Sequence, residues 1–190
     1  MKKGIAVAGP SGSGKGTLCN ILLVYFEILE LSISATTREP RGTEKDKKDY
    51  FFLALPDFLK KMQEDYFLEH EEVYPGKYYG TINHIVEAIW EKGNVVLFDV
   101  DVDGALRIKE KLGDDVITIF IHPVTLENLR QRLIVRGTET PEQIEDRMSR
   151  APSELAKAQY FDLIVKNGEG QLEDAATEIK AIAEYFLQLV

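Results

Sequence analysis

The chain alternates short, fully apolar runs with longer stretches of helical spacing. The first run, "GIAVAG" at 4–9, is apolar throughout and closes on glycine, which predicts a buried strand. From Gly14 to about Leu29, leucines, isoleucines and aromatics recur at helical spacing. Residues 32–37 and 50–55 are rich in β-branched and aromatic side chains and predict strands. Pro56-Asp57 opens a short helix to about Asp65, and 66–81 reads as strand and turn. A helix over 82–92 stops at Gly93. "NVVLFDVD" (94–101), "DVITIFIHP" (115–123) and "DLIVKN" (162–167) predict three more core strands. Helices fall between and after them: one to about Leu112, one from Thr125 to Val135, one from Pro141 to Tyr160, and a last one from Leu172 to Leu189.

Continuously apolar strands that alternate with helices predict an α/β fold, a parallel sheet covered on both faces. Residues 32–81 break that rhythm with several strands and one short helix, so they read as a small insertion on the parallel core. A length of 190 residues suits one such core.

Composition narrows the partners. The net charge of −9 argues against nonspecific binding to nucleic acid polymers or anionic membranes. Met1-Lys2-Lys3 precedes an apolar run too short for a signal peptide, and no stretch approaches a membrane span. The single cysteine, Cys19, excludes an intrachain disulfide and a cysteine-ligated zinc site and fits a reducing cytoplasm. Small anions remain open, because they need only a local cluster of cations. Arg130, Arg132, Arg136, Arg147 and Arg150 lie within 21 residues, and Arg38 and Arg41 form a second group.

The first strand runs into "GPSGSGKGT": Gly9, Pro10, Ser11, Gly12, Ser13, Gly14, Lys15, Gly16 and Thr17. Glycine, four residues, then Gly-Lys between a strand and a helix is the phosphate-binding P-loop. Its backbone N–H groups converge on phosphate oxygens, and Lys15 is a charge that can follow a transferring phosphoryl group. This predicts ATP binding with Mg²⁺. Gly16 stands where many P-loops place the Mg²⁺-binding Ser or Thr, so Thr17 is the hydroxyl candidate. Asp99 and Asp101 end a strand two residues apart and face one side. Either can serve Mg²⁺-bound water or the acceptor, and the spacing does not decide which. "SISATTREPR" (32–41) ends in Arg38 and Arg41 on a turn enforced by Pro40, which suggests a second phosphate site with Tyr50 and Tyr79 as further donors. Arg132 and Arg136 share one helix face and Arg147 follows on the next helix, the layout of a hinged lid that delivers charge.

Taken in order after the P-loop, "SISATTREPR", "DYFF", "FLE", "YYGT", "DVDVDGA" and "RGTET" strongly resemble the guanylate kinase family, from Ile5 to about Asn167. The resemblance implies a three-layer P-loop NTPase core at 1–31 and 82–190, a mixed α+β GMP-binding insertion at 32–81 and a helical lid at about 130–150. It implies ATP and GMP as substrates of a Mg²⁺-dependent phosphoryl transfer, in a monomer or homodimer. Ser34, Glu69, Thr81 and Asp101 would contact the guanine base. Arg38, Arg41, Tyr50 and Tyr79 would hold the GMP phosphate, while Arg132, Arg136 and Arg147 act with Lys15 on the transferring group. Chemistry supports Glu69: guanine N1–H and N2 amine are adjacent donors, matched by one carboxylate. Asp103, His70 and Pro75 depart from the family pattern, where glutamine, tryptophan and a shorter turn are common. Two other readings stay open here: a kinase for another nucleoside monophosphate, and a related non-catalytic protein-binding module.

Overall fold

The computed structural model describes residues 3–188. Met1-Lys2 and Leu189, the expected last residue of the final helix, lie outside the described residues. In chain order the first elements are β1 (Gly4–Ala8), α1 (Lys15–Tyr25), β2 (Leu29–Leu31), β3 (Ala35–Thr36) and β4 (Phe51–Phe52). Next come α2 (Leu55–Met62), β5 (Phe67–Tyr74), β6 (Lys77–Ile82), α3 (Asn83–Glu91) and β7 (Val95–Asp99). The rest are α4 (Val102–Leu112), β8 (Val116–His122), α5 (Leu126–Arg136), α6 (Pro141–Ala156), β9 (Leu163–Lys166) and α7 (Leu172–Gln188).

Five strands form the central sheet in the order β2-β7-β1-β8-β9, with every neighbouring pair parallel. Alternation along β1 explains the layers. Ile5 and Val7 face α1 and α7, in a core with Leu18, Leu22, Ile179 and Phe186. Ala6 and Ala8 face the other way, packed with Val86, Ile89, Phe98, Ile108 and Phe120. The connection out of β1 runs toward β2 and that out of its neighbour β8 runs the opposite way to β9, so the carboxyl ends of β1 and β8 flank a topological switch point, where α/β sheets bind ligands.

The second sheet, β4-β3-β6-β5, uses Ala35 to Ile82. Phe58 stacks on Phe67 at 4.4 Å to give it a small core of its own, with Ala35 and Ile82. Among the described residues, no helix is long and apolar enough to cross a membrane.

Several elements differ from the sequence expectation. The first helix ends at Tyr25, and Leu29–Leu31 is a fifth core strand. Its strand character comes from a remote partner, since Leu29 pairs with Val95 in β7. The strands expected at 32–37 and 50–55 shrink to Ala35–Thr36 and Phe51–Phe52, which pair with each other, Ala35–Thr36 also pairing with β6. The helix expected to run to Tyr160 stops at Ala156, and a 3₁₀ turn covers 157–160.

Candidate active site

The P-loop wraps the start of α1. Gly9 has φ 150°, and a Cβ there would lie 2.5 Å from the Ile121 carbonyl oxygen. Gly14 is left-handed at φ 95°, and a Cβ would meet Asn167 Nδ2 at 2.4 Å. Glycine is therefore required at both positions. The first turn of α1 carries no acidic residue, so its positive end stays open to an anion. Lys15 Nζ folds back on its own loop and donates to the Gly9 carbonyl at 2.9 Å. Ser13 is fully buried, and its carbonyl accepts from Asn167 Nδ2 at 2.8 Å and Arg132 Nη1 at 3.1 Å. Arg132 Nη2 also donates to the Gly168 carbonyl at 2.7 Å, which ties α5 to the loop after β9.

Asp99, half-buried at the end of β7, lies behind Gly16, where a Cβ would come 3.5 Å from its Oδ2. Desolvation holds its carboxyl above the ordinary range, and the Lys15 ammonium opposes that shift. A divalent cation would act in the same direction as Lys15, so Asp99 and the Thr17 hydroxyl at the rim fit a hydrated Mg²⁺.

Across the cleft, the turn after β3 carries Arg38 and Arg41. Arg38 is buried and grips Glu44 with two nitrogens, at 2.6 and 2.8 Å. Its Nε donates to the Tyr79 hydroxyl at 3.1 Å, and its guanidinium lies 4.9 Å from the Tyr50 ring centre. Burial disfavours the Arg38 charge, but Glu44 together with Tyr79 and Tyr50 outweighs it and raises the pKa. Glu44 also accepts from the Arg41 N–H at 2.8 Å, which fixes the turn.

Glu69 is 5 % exposed on β5. Thr81 Oγ1, fully buried on the paired strand β6, donates to Glu69 Oε1 at 2.6 Å. Asp101 caps α4 by accepting from the Gly104 N–H at 2.9 Å. Gly104 leaves room for both carboxylates: a Cβ there would lie 3.1 Å from Glu69 Oε2 and 3.4 Å from Asp101 Oδ2. Burial and the Asp101 charge raise the Glu69 pKa to about 7, against the Thr81 hydrogen bond.

One cleft of about 480 Å³ joins these groups, lined from the P-loop to Ser34, Arg38, Arg41, Tyr50, Glu69 and Tyr79. Arg132, Arg136 and Arg147 line the same cleft. Arg147 is buried on α6 and contacts the Ser11 hydroxyl. Arg136 ends α5 and pairs with Glu139 in the connection to α6. Gly137, left-handed at φ 67°, stops α5, and a Thr140–Gln143 capping box starts α6.

The sequence profile described as guanylate kinase matches residues 1–185. The chain belongs to the guanylate kinase family. It is 45% identical over 183 residues to a guanylate kinase of Bacteroides thetaiotaomicron, covering 96% of this chain and 89% of that protein. A guanylate kinase of Clostridium perfringens is 45% identical over 178 residues, 94% of this chain and 81% of that one. The crystal structure of guanylate kinase from Anaplasma phagocytophilum superposes with a TM-score of 0.78 at 30% identity, covering 96% of this chain and 85% of that chain.

Within this guanylate kinase framework, most of the residues singled out from sequence face the cleft. Pro10, Ser13 and Thr81 do not line it. Ser13 and Thr81 are buried behind it, and Thr81 reaches it through Glu69. Sequence reasoning missed Tyr74 and Glu154 in the lining, and Glu44 and Glu139 as arginine partners. Glu154 had a signal: it follows Arg147 by seven residues, two turns along one helix face. Glu44 was masked by the charge run "EKDKKD" that it opens.

Proposed function

We propose that this cleft transfers the γ-phosphoryl group of ATP to GMP, giving ADP and GDP, and runs the reverse reaction as well. One observation carries the reading: a P-loop and a separate arginine–tyrosine cluster with a buried carboxylate open into the same cleft. ATP binds at the P-loop. GMP lies across the cleft with its phosphate on Arg38, Arg41, Tyr50 and Tyr79 and its base toward Glu69, Ser34 and Asp101. Residues 32–81 thus bind the acceptor, and about 130–150 form the lid.

Glu69, ionised, accepts from guanine N1–H and the N2 amine. Thr81 holds one of its oxygens, and Ser34 is free to donate to O6. The acceptor is a phosphate oxygen already ionised at neutral pH, so no general base is required. The protein positions the two phosphates in line and neutralises charge with Lys15, Arg147 and the other lid arginines. Lys15 must leave the Gly9 carbonyl to do so. Asp99, through water, and Thr17 are the residues that would hold Mg²⁺ bound with ATP, which would supply further charge neutralisation. Lid closure excludes water, the competing acceptor.

The test is a coupled assay for ADP formation by the purified chain with GMP, AMP or no acceptor. GMP should be used far better than AMP, because a site built to accept hydrogen bonds discriminates by about 10⁴-fold or more against a ligand lacking the donors. ADP formation that does not depend on GMP would refute the assignment.

A further inference from the structure

Glu139 sits in the four-residue connection between α5 and α6, yet its side chain is 0% exposed. Three guanidinium groups from three separate elements converge on it. Its Oε2 accepts from Arg136 Nε at 3.1 Å and from Thr138 Oγ1 at 2.8 Å. Its Oε1 lies 3.3 Å from Arg147 Nη2 on α6 and 3.7 Å from Arg41 Nη1 on the turn after β3. All three of these arginines also line the cleft between the proposed acceptor phosphate site and the P-loop.

The arrangement differs from the other carboxylate that meets an acceptor-site arginine. Glu44 makes close, paired hydrogen bonds to Arg38 from within the same turn, as a structural brace does. Glu139 reaches Arg41 and Arg147 from another element, at ion-pair rather than hydrogen-bond distances. A carboxylate offers two anionic oxygens in a geometry guanidinium also recognises in phosphate. Arg41 needs such an anion. Burial, with Arg38 and Arg147 nearby, works against its charge, and Glu139 works for it.

We propose that Glu139 is a positioning residue that stands in for the acceptor phosphate: its carboxylate engages Arg41, Arg136 and Arg147 and gives up Arg41 and Arg147 when GMP binds. This deepens the guanylate kinase reading and rests on it. Because Glu139 lies in the α5–α6 connection, its release couples acceptor binding to movement of the lid. The cost is competition, since GMP binds only to the fraction of molecules whose arginines are free.

The experiment compares the full chain with Glu139→Gln, both checked for folding by circular dichroism. Transfer to GMP is measured at saturating ATP, with inorganic phosphate as inhibitor competing with GMP. Removing the internal competitor removes its tax on the competent state, so the inhibition constant for phosphate and the KM for GMP should both fall, by about fivefold or more. The KM for ATP should stay within about twofold, as the P-loop is untouched. A purely structural role predicts the reverse, weaker phosphate inhibition and a higher KM for GMP, and either that result or unchanged constants overturns the proposal. No transfer to GMP by either protein overturns this proposal and the functional reading together, whereas transfer with unaltered phosphate inhibition defeats this proposal alone. If Glu139→Gln does not fold, a crystal structure of the unaltered chain with GMP decides. The Glu139 carboxylate should then be separated from Arg41 and Arg147, with the GMP phosphate between those arginines. Glu139 still paired with both beside bound GMP overturns the proposal.

Discussion

Acceptor recognition should switch off below neutral pH because Glu69 must be ionised to read guanine. Its carboxyl is buried, faces the Asp101 charge and titrates near 7 in the free protein. The protonated form presents an O–H donor where guanine also presents donors. With a pKa of about 7, the ionised fraction falls from about ten elevenths at pH 8 to about one eleventh at pH 6, so kcat/KM for GMP should drop about tenfold across that range. The assay is the kcat/KM for GMP at saturating ATP from pH 5.5 to 8.5. GMP's own phosphate also titrates in this range, near pKa 6, and Glu69→Gln separates the two: it keeps the phosphate limb and loses the step near 7. Thr81→Val removes the hydroxyl that favours the carboxylate, so its step should move to higher pH. The kcat profile should break at lower pH than kcat/KM, because bound guanine stabilises the ionised form. A flat kcat/KM between pH 6 and 8, or the same step in Glu69→Gln, refutes the reasoning.

Three further outcomes follow from the same geometry. Lys15→Ala should lower turnover by about 10²-fold or more without unfolding the chain, as expected for one preorganised charge. A folded variant at near wild-type rate contradicts the P-loop role. Arg41→Met should raise the KM for GMP much more than that for ATP, while Arg147→Met should chiefly lower kcat. Equal effects on both nucleotides in steady-state kinetics would argue against two anion sites. Glu69→Gln should also be more stable than the parent at high pH. A carboxyl whose pKa rises from about 4.5 to about 7 on folding destabilises progressively as pH climbs through that window, by about 3 kcal/mol in full. The variant's gain over the parent should therefore grow by roughly 2–3 kcal/mol from pH 5 to pH 8 in urea titrations, and a pH-independent difference contradicts the assigned burial.

Local signals in the sequence were legible, and remote ones were not. The P-loop follows from spacing between a strand and a helix, because glycines at 9 and 14 answer close contacts with the Ile121 carbonyl and the Asn167 side chain. The strands β1, β7, β8 and β9 are continuous apolar runs and were readable as such. β2 was not, because "LEL" is too short to show a period and gains its register from β7, more than 60 residues on. Thr81 was legible beside the base site from "YYGT", but not the β5–β6 register that pairs it with Glu69, whose carboxylate its hydroxyl holds. The arginines were visible as a cluster in sequence, but their partners were not. Glu139 meets Arg41 across 98 residues of chain, a pairing that only the packed fold specifies.

Phosphoryl transfer itself is tested most directly by following the label from ATP that carries ³²P in its γ-phosphate. The purified chain is given that ATP with Mg²⁺ and GMP, and the products are separated. The account predicts label in the β-phosphate of GDP, formed in step with ADP, and almost none in inorganic phosphate. Label that appears as inorganic phosphate at the same rate with and without GMP would contradict it.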